Sequence, residues 1–325
     1  MEELARLLKS RNDFISGEDI ARGLGVTRAA VQKAVIRLRN TGYVIEASPS
    51  KGYRLTGSPD LCADELSGLL SRSQAAGRYE IFFFDEVDST NILAMDMAEK
   101  GCPEGYVVIA DTQTSGRGRL GRAWASPPAR NLYMSMVVRP AIPPRDAAAL
   151  TLVTSVACAS AIRDHCGLPV SIKWPNDLLV GGRKLCGILA EIRADIDRIC
   201  HAVVGVGVNV NLGAEEMPEE IREKATSILA ETGRRISRTG LAAAIIMEFD
   251  KWYRLLLSGR QAYIMEKWRE LCSTIGSRVR VAVGEAVFEG TAEAVDDDGL
   301  LVVKMDDGSS RKFSAGDVTI GGAAR

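Results

Sequence analysis

Leu4, Leu7 and Leu8 recur at helical spacing at the start of the chain, and Ser16-Gly17-Glu18-Asp19 then opens a second helical stretch through Ile20, Ala21 and Leu24. Gly25 stops it. Thr27 suits a helix N-cap, and beyond it Ala30, Val31, Ala34, Val35 and Leu38 form one apolar stripe while Arg28, Gln32, Lys33, Arg37 and Arg39 fall elsewhere. The pattern then changes to two short β-rich runs, Tyr43 to Ala47 and Tyr53 to Leu55, joined by a Ser-Pro-Ser-Lys-Gly turn. Helix, glycine turn, capped helix and hairpin in this order predict a winged helix-turn-helix, in which the second helix enters the major groove. Thr27, Arg28, Gln32 and Lys33 at the start of that helix, and Lys51 at the wing tip, are the expected DNA-facing residues. The plain alternative is a three-helix packing module with an ordinary solvated basic face.

Gly57 to Asp60 reads as a linker, and from Tyr79 onward strands and helices mix without strict alternation. IFFFDEV, YVVIAD, LYMSMVV, VSIKW, DLLV, CGILAEI and HAVVGVGVNV read as strands; Thr90 to Lys100 and Ala147 to Arg163 read as helices. This predicts an α+β domain, a mixed β-sheet with helices on one side, rather than a doubly wound sheet. After Cys272 the runs are short and β-rich, punctuated by Asp-Asp-Gly. The expected domains are therefore 1–60, 61–272 and 273–325.

With 46% hydrophobic and 26% charged residues in 325, and mean hydropathy near zero, the composition is that of a globular multidomain protein. MEELARLLKSRNDF lacks the unbroken apolar run of a signal peptide, and the run from Ala147 to Ala161 is interrupted by Thr and Ser and reads as too short to cross a bilayer. The expectation is a cytoplasmic protein with no membrane partner. Seven cysteines stand singly, with only two histidines beside them, which predicts small buried thiols rather than a metal centre. Net charge is -1, yet residues 1–58 carry ten Lys and Arg against six acids, +4, leaving about -5 for the remainder. A basic head on an acidic body suits an anionic partner for the head.

The loop SGRGRLGRAW holds Gly116, Gly118 and Gly121 at G-x-G-x-x-G spacing, but Arg119, Arg122, Trp124 and a Pro-Pro pair follow where a dinucleotide fold would begin a helix. Its glycines let backbone amides approach an anion, and Arg117, Arg119 and Arg122 add guanidinium forks for phosphate or carboxylate. A mobile surface loop is the bland reading. Lys173-Trp174-Pro175-Asn176-Asp177 and Arg183-Lys184-Leu185-Cys186-Gly187 each place a lysine beside an apolar strand, which suits neutralisation of phosphates or merely guards a sheet edge. Asp177 is the expected catalytic carboxylate, holding Mg²⁺ or guiding an amine; it can instead cap its own turn.

Taken in order, Asp88 to Asn91 (DSTN), Gln113 to Trp124 (QTSGRGRLGRAW), Lys173 to Asp177 (KWPND), Arg183 to Leu189 (RKLCGIL) and Gly205 to Asn211 (GVGVNVN) closely resemble the family of bifunctional biotin protein ligases and biotin operon repressors. The resemblance extends over nearly the whole chain. It implies a class II synthetase-like catalytic domain between the winged helix and a C-terminal SH3-like β-barrel. Implied substrates are biotin and ATP with Mg²⁺, without a tightly bound prosthetic group. Implied partners are a biotin carboxyl carrier protein, operator DNA, and a second copy of the chain, bound when biotinyl-5′-AMP is present. By motif, Ser89, Thr90, Asn91, Gln113, Gly116, Arg117, Gly118, Arg119, Arg122, Lys173, Asn176, Lys184, Gly187 and Gly207 would bind biotin and its adenylate, with Trp124 and Asn209 on the adenylate side. Lys184, Asp177 and Arg119 would be catalytic. A ligase whose head no longer binds an operator, and a non-catalytic biotin sensor, are the alternatives.

Overall fold

The computed structural model describes residues 2–11, 13–40, 43–57 and 59–321. The chain divides into two compact units, 1–69 and 70–325. Ser58, inside the expected linker, lies outside the described residues.

The first unit contains α1 (Glu2–Lys9), α2 (Gly17–Leu24), α3 (Arg28–Asn40), β1 (Val44–Ser48), β2 (Gly52–Gly57) and most of α4 (Ala63–Leu70). Ser16 caps α2 by accepting from the Asp19 amide, and Gly25 ends it at φ 65°, a left-handed conformation that costs glycine little. Thr27 Oγ1 accepts from the Ala30 amide at 3.2 Å and so starts α3. Leu4, Leu8, Ile20, Val31, Val35, Leu38 and Ile45 make the core. Ala30, read as part of the apolar stripe, is exposed on the opposite side. β1 and β2 pair antiparallel into the wing. Arg39 is exposed, as its place off the apolar stripe implied, and its guanidinium donates to the Ile45 carbonyl at 2.6 Å, tying α3 to the wing.

The second unit is built on a seven-stranded sheet. Its elements are β3 (Glu80–Val87), α5 (Thr90–Glu99), β4 (Tyr106–Gln113), β5 (Leu132–Val138), α6 (Ala148–Cys166), β6 (Ser171–Lys173), β7 (Asp177–Val180), β8 (Arg183–Ala194) and β9 (Ile199–Val208). Then come α7 (Glu219–Arg222), α8 (Ile228–Thr232), α9 (Arg238–Leu257) and α10 (Gln261–Leu271). The sheet order is β3-β4-β5-β9-β8-β7-β6, parallel only between β3 and β4. It is a mixed sheet, as the pattern of strands implied.

The helices divide between its faces. Ala94 and Ala98 of α5 pack on Val108, Val137 and Val203. On the other face, Cys186 of β8 meets Cys158 of α6, and burial pushes the Cys186 thiol well up. α6 in turn packs along α9 and α10. Helices on one side only was therefore an incomplete expectation, because α5 crosses the opposite face.

The run read as too short to cross a bilayer is longer than it looked: Pro144–Cys166 is 23 residues and apolar enough by length and composition. Thr154 and Ser155 do not interrupt it, because each hydroxyl donates to the carbonyl four residues earlier. Most of this helix is buried inside the unit, so its apolar surface serves the core.

β10 (Arg278–Val283), β11 (Ala286–Val295), β12 (Leu301–Met305), β13 (Ser310–Phe313) and β14 (Asp317–Ile320) form a five-stranded antiparallel sheet in the order β13-β12-β11-β10-β14. It is anchored behind the β6–β7 turn. Trp174 is buried there, its Nε1 donating to the Gly299 carbonyl at 2.9 Å and its amide to Thr274 Oγ1 at 2.9 Å.

Candidate active site

The sheet register draws one row across all seven strands: Lys173 opposite Asp177, Asp177 opposite Gly187, Gly187 opposite Gly207, Gly207 opposite Tyr133, and on through Ala110 to Phe84. Above it lies a cleft of about 920 Å³, counting its open mouth. Strand alternation alone would turn Lys184 away from the face that Gly187 occupies. A register shift between Leu178 and Leu179 gives β8 an extra residue there, and the Lys184 side chain comes over Gly187.

Glycines floor the cleft because a side chain has no room. A Cβ on Gly187 would come within 2.8 Å of Trp124 Cζ3 and 3.2 Å of Lys184 Cε; one on Gly207 would come within 2.7 Å of Trp124 Cε2. A Cβ on Gly205 would strike Asn91 Oδ1 at 2.0 Å.

At one end, the first turn of α5 brings in Ser89, Thr90 and Asn91, all buried. Gln113 Oε1 accepts from the Thr90 amide at 2.9 Å and its hydroxyl at 3.1 Å, satisfying a donor that a helix start leaves open. Ser135 Oγ lies 2.8 Å from Thr90 Oγ1 and 2.6 Å from Asn91 Oδ1. Arg139 holds the far end of α5 through the Ala98 and Cys102 carbonyls.

The glycine-arginine loop is an ordered return. The Trp124 amide donates to the Gly116 carbonyl at 2.9 Å, and the Gly118 amide to the Arg122 carbonyl at 2.7 Å. Leu120 at φ 57° and Gly121 at φ 73° make the tip, where Leu120 is 72% exposed.

Cations dominate the other end. Arg117, Arg119, Arg122, Lys173 and Lys184 line the cleft against the carboxylates of Asp177 and Asp317. Arg119 Nη1 donates to Asn176 Oδ1 at 3.0 Å, and burial lowers the affinity of its guanidinium for the proton. Burial likewise lowers the Lys173 pKa, against the pull of Asp177 and Asp317. Lys184 Nζ sits 2.6 Å from Asp177 Oδ1, a charge contact that lacks hydrogen-bond angles, and 5.4 Å from the centre of the Trp124 ring. Arg122 forks onto the Asp317 carboxylate, which holds that carboxyl below its usual range.

Of the residues expected to bind biotin and its adenylate or to be catalytic, all line the cleft except Gly116 and Asn209. Gly116 sits beneath the loop, where a Cβ would meet the Trp124 carbonyl at 2.5 Å. Asn209 is a buried brace, donating to the Thr226 carbonyl at 2.9 Å. Tyr133, Ser135 and Asp317 were missed. A lone serine in LYMSMVV was a readable signal for Ser135; Tyr133 sits among the apolar residues of the same strand with nothing local to mark it, and Asp317 joins only through tertiary structure. In the first unit, Thr27, Arg28, Gln32, Lys33 and Lys51 are all exposed. Lys51 and Arg54 lie over the Phe14 ring at 5.9 and 4.8 Å.

Among the described residues no three His, Cys, Asp or Glu side chains group to hold a metal ion. No Cys or His lines the cleft. Glycine floor, polar helix start and cation cluster together define a site that neutralises and positions anions.

Comparison with known proteins shows the family. Residues 83–209 match the profile of the Biotin/lipoate A/B protein ligase family, 1–54 that of an HTH domain, and 274–321 that of the Biotin protein ligase C terminal domain. The chain is 36% identical over 310 residues to the Bifunctional ligase/repressor BirA of Bacillus subtilis (strain 168), covering 95% of each. With the protein of the same description from Escherichia coli (strain K12) it shares 31% over 321 residues, 98% of this chain and 96% of the relative. The biotin protein ligase from Aquifex aeolicus in complex with biotin and ATP superposes with a TM-score of 0.64 at 27% identity, covering 74% of this chain and 98% of that one. The chain belongs to the family of bifunctional biotin ligase/repressors.

Proposed function

We propose that the cleft joins biotin to ATP as biotinyl-5′-AMP and then passes biotin to a lysine of a biotin carboxyl carrier protein. The carrying observation is the meeting of five cationic side chains over a floor without Cβ atoms, beside the polar start of α5. In the first step a biotin carboxylate oxygen bonds to the α-phosphorus and the bond to the β-phosphate breaks, releasing pyrophosphate. In the second, the carrier lysine nitrogen bonds to the acyl carbon, AMP leaves, and the amine loses a proton. Neither step needs an enzyme nucleophile, so positioning and charge neutralisation carry the catalysis.

Ser89, Thr90, Asn91 and Gln113 receive the polar ring of biotin; Lys184, Arg119 and Lys173 face the acyl phosphate. Once the substrate anion draws Lys184 toward itself, Asp177 is free to hold the incoming ammonium and accept its proton. Mg²⁺ fits as part of the nucleotide substrate, since that ion uses one or two carboxylates plus phosphates and Asp177 supplies one. The first unit binds operator DNA through α3 and the wing, and two copies pair when the adenylate is bound. Gel filtration of protein incubated with biotin and ATP tests the first step: biotinyl-5′-AMP should travel with the protein, and its absence would refute the reading.

A further inference from the structure

The hydrogen bonds behind the first turn of α5 run in one direction only. Asn91 Nδ2 donates to the Leu189 carbonyl at 3.2 Å and to Glu191 Oε2 at 2.8 Å, so its Oδ1 turns to Ser135 Oγ, 2.6 Å away. That oxygen can only accept, and the contact is short, so the single Ser135 hydrogen is committed there. Ser135 has none left for Thr90 Oγ1 at 2.8 Å and can only accept from it. The Thr90 hydrogen thus has two acceptors in reach, Gln113 Oε1 at 3.1 Å and Ser135 Oγ. Gln113 is fixed from its other side, because Ser126 Oγ donates to the Trp124 carbonyl at 3.0 Å and so accepts from Gln113 Nε2 at 2.9 Å. We infer that Glu191, outside the cleft wall but on the same face of β8 as Gly187, is a positioning residue that keeps this end of the cleft an acceptor of N–H. The inference rests on the reading of the cleft as a biotin site.

With Glu191 in place, the Thr90 hydrogen can withdraw to Ser135 and leave lone pairs on Thr90 Oγ1 and Gln113 Oε1 for a donor on the ligand. Without it the Asn91 amide is free to turn over, so that Nδ2 donates to Ser135 and the Ser135 hydrogen turns onto Thr90 Oγ1. The Thr90 hydrogen is then driven onto Gln113 Oε1, and both oxygens are filled. A cyclic urea with its two N–H groups matches the first state and not the second. A site poised to accept also rejects rings that bring an oxygen where the N–H should be, since two lone pairs then face each other.

Titration calorimetry would compare biotin with its two cyclic carbamate analogues, in which one ring N–H or the other is replaced by oxygen. In the unaltered protein at least one exchange should weaken binding about tenfold or more. Glu191→Met, which removes the acceptor but keeps the length, should weaken biotin about tenfold and that carbamate much less, so their ratio narrows. Ser135→Ala, which removes the second acceptor for the Thr90 hydrogen, should narrow it too, and Glu191→Gln, whose side-chain carbonyl still accepts from Asn91, should restore it. Equal weakening of biotin and carbamate would mark Glu191 as merely structural and overturn the assignment. So would unchanged biotin affinity in Glu191→Met, a Glu191→Gln variant no better than it, or carbamates that the unaltered protein binds as tightly as biotin. Failure of the unaltered protein to bind biotin at all would instead strike the ligase reading beneath it.

Discussion

Removing Lys184 tests the charge logic of the cleft directly. Five cations there face two carboxylates, and Lys184→Ala takes away the one poised between Asp177 and the Trp124 ring. A unit charge about 4 Å from a phosphate oxygen is worth about 4 kcal/mol at an effective dielectric constant of about 20. The Lys184 side chain is 35% exposed, so screening reduces that. Halving it leaves about 2 kcal/mol, roughly a 30-fold loss in the rate of adenylate formation. Biotin-dependent exchange of pyrophosphate into ATP reads that step alone. Lys184→Arg, which keeps the charge, should recover part of the rate, and Lys304→Ala, outside the cleft wall, should change nothing. A Lys184→Ala rate within twofold of the unaltered protein would refute the reasoning.

Arg119→Gly should open the loop where it meets Asn176, so released adenylate and indiscriminate labelling of protein lysines both rise; wild-type specificity in a labelling assay would show that the loop does not contain the intermediate. Gly207→Ala should lower adenylate formation at least tenfold, because the new methyl group meets Trp124 at 2.7 Å; an active variant with normal biotin affinity would contradict the flat floor. Burial lowers the Lys173 pKa, so charge is lost there at lower pH than from an ordinary lysine, and Lys173→Arg should extend the alkaline limb of the exchange rate; coincident profiles would dismiss the residue. Hydrogen bonding to Arg122 depresses the folded pKa of Asp317, so its contribution to stability is present above the unfolded value near 4 and fades as pH falls through the folded one. Asp317→Asn should thus destabilise by under about 1 kcal/mol at pH 7 and match the unaltered protein in strong acid, as denaturant melts would reveal.

The winged helix was legible because each local signal was independent: Ser16 and Thr27 are caps, Gly25 is left-handed, and the wing turn is Ser-Pro-Ser-Lys-Gly. Cation-rich loops were equally plain, since arginines among glycines have little to pack against. What stayed hidden was what tertiary structure decides. The bulge that turns Lys184 into the cleft leaves no mark in RKLCGIL, and the row joining Lys173, Asp177, Gly187, Gly207 and Tyr133 exists only once strand order is fixed. Asp317 lies nearly two hundred residues beyond Arg122 in an ordinary β-rich run, so only folding brings them together. Thr154 and Ser155 misled for a related reason, because their back-bonded hydroxyls sit inside a helix without ending it.

The central claim, one chain whose adenylate serves both transfer and DNA binding, meets its most direct test in a single titration. DNA duplexes are first selected from a random pool by the protein charged with biotin and ATP, and their binding is then followed by fluorescence anisotropy. Affinity should be weak without ligand and rise when biotin and ATP are added together. It should fall again when a carrier domain with its acceptor lysine consumes the adenylate, in step with carrier biotinylation. DNA affinity indifferent to these additions, or a carrier that stays unmodified, would contradict the account.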